Sequence, residues 1–360
     1  MQRQTLLQAW ISELFPNETF SLAPASADAS FRRYFRATFA DKVFVVMDAP
    51  PQLEDCQPFL HIGKLFEAAG THVPHVFAQD LAQGFLLLSD LGNTTYLQAL
   101  TADNSQAKAL YSDATDALLK IQLASQPNVL PVYDEALLRR ELNLFPDWFI
   151  NKHLGITLTE KQTGKLEECF QRIVRNNLAQ PRVYVHRDYH SRNLMVTEPN
   201  GQARFPHPNP LPQAGEGAND SRGEFILSPG ILDFQDAVYG PITYDLVSLF
   251  KDAYIRWEEP EIMDWLIRYW EKARKAGLPV REDFGEFYRD YEMMGAQRHL
   301  KVLGIFARLA YRDGKTSYLN DIPLVFDYLH RAAARYIDLK PLLNILDELV
   351  PKEQQEGFTF

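Results

Sequence analysis

Residues 185–196 read Val185-His186-Arg187-Asp188-Tyr189-His190-Ser191-Arg192-Asn193-Leu194-Met195-Val196, and residues 231–236 read Ile231-Leu232-Asp233-Phe234-Gln235-Asp236. The first is H-x-D-x-x-x-x-N closed by an apolar strand. That spacing meets what phosphoryl transfer requires: an aspartate to accept or orient the proton of an attacking hydroxyl and, five residues on past a tight loop, an asparagine offering a neutral oxygen to Mg2+. The second puts an aspartate at the end of an apolar strand, where it can bridge Mg2+ to the β- and γ-phosphates. Asp188, Asn193 and Asp233 fill those places. Either motif alone is commonplace and marks a surface or capping residue more often than a catalyst. Both together, in this order, each on a strand edge and after a strand-rich first part, point to chemistry.

Upstream, residues 19–90 carry the strand signals. Thr19–Ala23, Phe31–Phe39, Val43–Met47, Val76–Leu81 and Gly84–Leu88 are short β-rich runs, Ala25–Ser30 is a small, polar stretch suited to a loop, and Leu53, Cys56, Phe59, Leu60 and Leu65 recur at helical spacing over 53–68. This predicts a small antiparallel sheet with one helix packed on it. After Gly92 the period changes to 3.6 over about 104–125, 134–151, 159–178, 243–255, 259–276, 283–310 and 323–347, interrupted by strand candidates at Val183–Val185, Leu194–Val196 and Phe225–Asp233. The expected architecture is α+β and two-lobed: residues 1–90 a nucleotide-binding lobe, and residues 91–360 a larger, mostly helical lobe for catalysis and the acceptor, with a boundary at Ser89–Asn93.

Residues 199–224, PNGQARFPHPNPLPQAGEGANDSRGE, alternate proline at 206, 208, 210 and 212 and then turn to glycine and charge. Such a stretch cannot bury a core and reads as a solvated insertion within a hairpin.

Composition bounds the rest. The net charge of −10 repels phosphate backbones and anionic lipid, against a nucleic-acid or membrane-surface role, though a few local donors can still hold a small anion. Two cysteines, Cys56 and Cys169, fit a reducing cytosol and neither a disulfide framework nor a zinc cluster. No uncharged apolar run is long enough to suggest a membrane span, and Leu6, Trp10 and Leu14 read as an amphipathic helix rather than a signal peptide, so the expected compartment is the cytoplasm. No obligate protein partner is evident.

The chain resembles the aminoglycoside phosphotransferase superfamily, small-molecule kinases with a protein-kinase-like fold, and within it the anomeric N-acetylmuramate/N-acetylglucosamine kinases of bacterial cell-wall recycling. The resemblance is carried by DASFRRYFR (28–36), FVVMDAPP (44–51), GFLLLSDLG (84–92), EALLRRELNLFPDWF (135–149), VHRDYHSRNLM (185–195), LDFQDAVYGPITYDL (232–246) and QRHLKVLGIFARL (297–309), and it leaves out the insertion and about the last ten residues. It implies ATP and Mg2+ as cofactors, Asp188 as catalytic base, Asn193 and Asp233 as Mg2+ ligands, adenine bound to backbone near Ser89–Leu91, and His186 and Asp245 as supports of the catalytic loop.

Two departures matter. The phosphate-contacting lysine expected at the end of the third strand is replaced by Met47 or Asp48, with Lys42 back in the turn, and the glycine-rich loop is missing. Ala25–Ser30 could cradle phosphate through backbone N–H groups and the Ser26 and Ser30 hydroxyls, and Arg32 or Arg33 could supply the cation, since strand alternation sends one of the pair toward the phosphates. On the acceptor side, Glu135, Arg139 and Glu141 share a helix face with Trp148 further along; Asp236, Arg298 and Lys301 are further candidates. An arginine would suit the lactyl carboxylate of N-acetylmuramate, but surface ion pairs account for Glu135 and Arg139 equally well.

Rival readings are a kinase of the same superfamily for another acceptor (aminoglycoside, choline or homoserine), a pseudokinase-like binding module suggested by the absent lysine, and a binuclear metal hydrolase built on His186, Asp188 and His190 with Asp233 and Asp236.

Overall fold

The computed structural model describes residues 2–27, 31–197 and 229–350. The chain forms two compact units, Met1–Ala99 with Leu194–Gln235, and Leu100–Asn193 with Asp236–Phe360. The fold is α+β and protein-kinase-like, a small antiparallel sheet in the N-lobe and helices in the C-lobe.

In the first unit, α1 (Gln2–Leu14) precedes β1 (Ser21–Ala27), β2 (Arg33–Thr38) and β3 (Val43–Asp48), followed by α2 (Gln57–Ala68), β4 (Val76–Asp80) and β5 (Phe85–Ser89). The five strands are antiparallel in the order β1-β2-β3-β5-β4. Alternation along β2 and β3 sends Phe35, Ala37, Phe44 and Val46 to one face, where α1 closes a core with Leu7, Trp10 and Ile11. The expected stripe on α1 is thus shifted by a residue: Leu6 and Leu14 are exposed, because the 7-10-11 set faces the sheet. The expected loop at Ala25–Ser30 is also corrected. β1 runs on to Ala27, pairing across a bulge between Pro24 and Ser26, while Ser30 lies outside the described residues.

The helix α3 (Tyr96–Ala102) follows the sheet. A two-stranded pair, β7 (Leu194–Met195) and β8 (Gly230–Ile231), belongs to the first unit and brackets the proline-rich segment, which with residues 225–228 lies outside the described residues.

The second unit holds α4 (Ala107–Leu123), α5 (Glu135–Leu142), α6 (Glu160–Ala179), α7 (Tyr244–Phe250), α8 (Glu259–Lys275), α9 (Phe284–Asp313), α10 (Ile322–Arg335) and α11 (Lys340–Leu349), with a second pair β6 (Arg182–Val185) and β9 (Val238–Pro241). Three expectations change. The helix expected over 134–151 breaks after Leu142 into a π-helical stretch, Phe145–His153, with Pro146 in its first turn. The one over 323–347 divides at Tyr336, with Pro341 starting α11. Strand β9 was not expected, since Gly240 and Pro241 weaken its pattern. The long α9 passes so close to the α5 end that a Cβ on Gly304 would lie 2.4 Å from the Leu144 backbone, so only glycine fits there.

Candidate active site

In the second unit β6 delivers the chain to His186, and Arg187 then takes a left-handed φ of 79°, unusual for a residue with a Cβ. The cause is visible in the bonds. Asp245, fully buried in the first turn of α7, accepts the His186 N–H at 2.7 Å and the Arg187 N–H at 3.0 Å, pinning two successive amides. With burial dominating, its carboxyl is pushed up to about 7, against the pull of those two N–H donors. The Asp188 N–H donates to His186 Nδ1 at 3.2 Å, so that ring nitrogen is an acceptor inside the loop. Asn193 donates its side-chain N–H to the Asp188 carbonyl at 3.0 Å, which turns its amide nitrogen toward the loop and its oxygen away. Ser191 donates its N–H at 2.9 Å and its hydroxyl at 2.5 Å to the buried Asp252.

Asp188 stands in a positive field. Burial alone would raise its pKa, but Lys301, Arg298 and Arg187 around it hold it below the ordinary aspartate value, so it is a carboxylate at neutral pH. These cations are fixed by a buried network. Glu141 accepts from Arg187 Nη2 at 2.6 Å and Lys301 Nζ at 2.9 Å, from Gln297 at 3.1 Å, and from the Tyr133 hydroxyl. Arg298 donates to the Arg187 carbonyl at 3.0 Å and to the Tyr244 hydroxyl at 3.3 Å, and Lys301 to that hydroxyl at 2.9 Å. Glu141 would be raised by burial; Lys301, Arg187 and the Tyr133 hydrogen bond outweigh that and hold it at about 2.

In the first unit, Asp233 follows β8 at a left-handed φ of 61°, and Gln235 donates to its carboxylate at 2.8 Å. Phe234 anchors this turn: it is fully buried, its ring tilted against that of Phe59 of α2 with centroids 4.8 Å apart. Arg32 lies 4.0 Å from the Asp233 carboxylate and 3.8 Å from Glu54, mostly buried, whereas Arg33 points to Asp48, directly opposite it on β3. Asp48, standing where the strand-three lysine is missing, is fully buried and also receives Arg3 at 2.9 Å. The segment after β5 is braced by Arg36, bonded to Asp90 at 2.6 and 3.0 Å and to the Gly92 carbonyl at 3.2 Å. The Ser89 hydroxyl accepts from the His75 N–H at 2.9 Å, and Leu91 is buried.

The acceptor-side candidates scatter. Glu135 and Arg139 bond each other at 2.8 Å, and Arg139 also reaches Glu167 at 2.7 Å, an exposed helix-surface network that does not include the Asp188 loop. Trp148 is half-buried in the π-helical stretch, and Asp236 is exposed, its carbonyl 3.4 Å from Arg187 Nη1. Arg298 and Lys301 do lie beside Asp188, but buried and bonded into the loop's support. Glu141, as hub, and Asp252 were missed as loop supports. Their partners are remote in sequence, and a carboxylate on a helix carries no local sign that it will be buried. Among the described residues no three His, Cys, Asp or Glu side chains gather as a metal cluster, and His186 Nδ1 accepts from the Asp188 N–H.

The model of the phosphotransferase enzyme family matches residues 21–204 and 227–284. The chain is 50% identical over 364 aligned positions, covering all of both chains, to an N-acetylmuramate/N-acetylglucosamine kinase of Neisseria meningitidis. It is 47% identical to a protein of the same name from Pseudomonas aeruginosa, over 95% of this chain and 94% of that one. Among solved structures, the fold is shared with a choline kinase of Streptococcus pneumoniae (TM-score 0.60, 13% identity, 93% of this chain and 100% of that one). An ADP-bound aminoglycoside phosphotransferase has the same fold (TM-score 0.55, 13% identity, 89% and 96%). With the family match spanning both the β-sheet and the Asp188 loop, the chain belongs to the phosphotransferase enzyme family and is an ATP-dependent kinase.

Proposed function

We propose that this kinase phosphorylates the anomeric hydroxyl of N-acetylmuramate and N-acetylglucosamine, giving the sugar 1-phosphate and ADP in the cytoplasm, as a step that returns cell-wall sugars to precursor synthesis. The observation that carries this reading is the identity of 50% along the whole of both chains to a kinase named for those two sugars. The anomeric hydroxyl is more acidic than an ordinary alcohol, which suits the weak base that Lys301 and Arg298 make of Asp188. Asp188 accepts the hydroxyl proton as the sugar oxygen bonds to the γ-phosphorus and the bond to the β,γ-bridging oxygen breaks; ADP carries away that electron pair. Positioning and charge neutralisation do most of the catalysis.

Asn193 and Asp233 offer one neutral and one anionic oxygen, the hard donor chemistry that suits Mg2+, and the Asn193 amide is already oriented by its bond to the Asp188 carbonyl. Bound there, the ion would neutralise phosphate charge. Arg32 takes the place of the missing lysine, Ser26, Ser30 and the backbone near Ser89 and Leu91 serve the nucleotide, and Asp245 and His186 hold the loop. The partners are small molecules, with no nucleic acid or membrane required.

The test is ADP release coupled to a panel of free sugars. N-acetylmuramate and N-acetylglucosamine should support turnover, and Asp188→Asn should lower kcat by at least ~10²-fold with ATP affinity nearly kept. Near-wild-type kcat in that variant would remove Asp188 as the base.

A further inference from the structure

Arg192 lies between Asp188 and Asn193 in sequence, and its surroundings differ from those of the cations that act on Asp188. Arg187, Arg298 and Lys301 are bonded into the loop's support. Arg192 is exposed and makes no hydrogen bond or ion pair among the described residues. Its guanidinium instead lies 3.5 Å over the Tyr254 ring, with the Tyr318 ring at 6.0 Å. A stack of this kind fixes the plane of the guanidinium while leaving its N–H edge available for a planar two-oxygen ligand.

The platform is itself held. Tyr254 donates its N–H to Asp252 at 3.1 Å, the same carboxylate that receives Ser191, so Arg192's neighbour in the loop and its stacking partner share one anchor. Tyr254 meets His190 edge-on at 5.3 Å, and Phe306 backs both tyrosines, at 6.1 Å from Tyr254 and 5.3 Å from Tyr318. His190 Nδ1 is buried with no hydrogen-bond partner among the described residues. Beside a reactive aspartate, a half-buried aromatic wall, an unsatisfied ring nitrogen and an oriented but uncommitted cation together describe a site for a polar ring bearing a carboxylate. Asp321 is the nearby anion: burial raises its carboxyl's pKa while Arg192 opposes this, yet the two form no ion pair.

We propose that Arg192, planar on Tyr254 and flanked by Tyr318, is the specificity residue that receives the carboxylate of an acidic acceptor sugar, the lactyl group of N-acetylmuramate. This rests on the acceptor assignment above and deepens it, for a neutral N-acetylated sugar has no carboxylate for Arg192 to pair with.

Steady-state kinetics on the whole protein with N-acetylmuramate, its methyl ester and N-acetylglucosamine test it. In the wild type, esterification should raise KM for the muramate. Arg192→Ala should lower the ratio of kcat/KM for N-acetylmuramate to that for N-acetylglucosamine at least tenfold, chiefly through KM, and Arg192→Lys should recover part of it. Arg192→Gln, which keeps the planar group without charge, should behave as alanine does and serves if the alanine variant fails to fold. An unchanged ratio in Arg192→Ala or Arg192→Gln, or equal turnover of acid and ester by the wild type, overturns the assignment. Turnover of neither sugar by the wild type overturns the acceptor reading itself, and is seen before any variant is made.

Discussion

Arg32 reaches Asp233 at 4.0 Å and Glu54 at 3.8 Å, while its neighbour Arg33 goes to the buried Asp48. Arg32, just before β2, and Arg33, its first residue, thus turn to opposite sides, as extended-chain alternation demands. The difference has consequences of different kinds. Arg32→Ala should raise the KM for ATP at least tenfold, or ~1.4 kcal/mol, because it removes a cation from beside the carboxylate assigned to metal binding. Arg33→Ala should leave that KM nearly unchanged and cost about 1 kcal/mol of stability, since Asp48 keeps Arg3. Nucleotide titration and thermal midpoints separate the two, and equal, mild effects on KM would remove Arg32 as the substitute cation. At this scale the sequence was informative where the constraint is local. The spacing from Asp188 to Asn193 and the alternation of Arg32 and Arg33 depend only on neighbouring residues. Arg139 could not be resolved that way, because its partner Glu167 belongs to another helix.

At the scale of elements, the loop depends on α5 and α9 meeting through Glu141. Glu141 bonds Lys301 at 2.9 Å and Arg187 at 2.6 Å, so α9 is tied to the catalytic loop through a carboxylate on α5. Its pKa is depressed in the fold. The stability it contributes is therefore complete above the ordinary value of 4.5 and is lost as pH falls through about 2. Glu141→Gln leaves two buried cations without their anion and should cost about 3–5 kcal/mol at pH 7. The gap from wild type should narrow steadily between pH 4.5 and pH 2 in denaturant titrations; a gap constant over that range would show that the charge of Glu141 is not what matters. Helix existence was legible from the 3.6-residue period throughout the second unit, whereas boundaries were not. Proline decides two of them, at Pro146 and Pro341, and β9 exists by pairing with β6, with Gly240 packed against Tyr133, rather than by its own propensity. The α1 stripe was displaced by a residue because Leu6, Leu7, Trp10, Ile11 and Leu14 offer two overlapping apolar arcs, and only the sheet selects between them.

For the whole molecule, the segment at 199–224 reads by composition as an insertion and lies outside the described residues, and the family match leaves out residues 205–226. The flanking strands β7 and β8 pair through Leu194–Ile231 and Met195–Gly230, a register set entirely outside it. Deleting residues 203–222 and closing with a short turn should leave turnover within a few-fold, and loss of folded protein would show that the segment packs against something. The position of the transferred phosphate distinguishes an anomeric kinase from every other sugar kinase. Phosphorus NMR of the product from N-acetylglucosamine and ATP, run beside the methyl glycoside blocked at its reducing end, reads this directly. The phosphate should couple to the anomeric proton and the glycoside should be inert; a phosphorylated glycoside, or a phosphate on any other carbon, would rule out anomeric transfer.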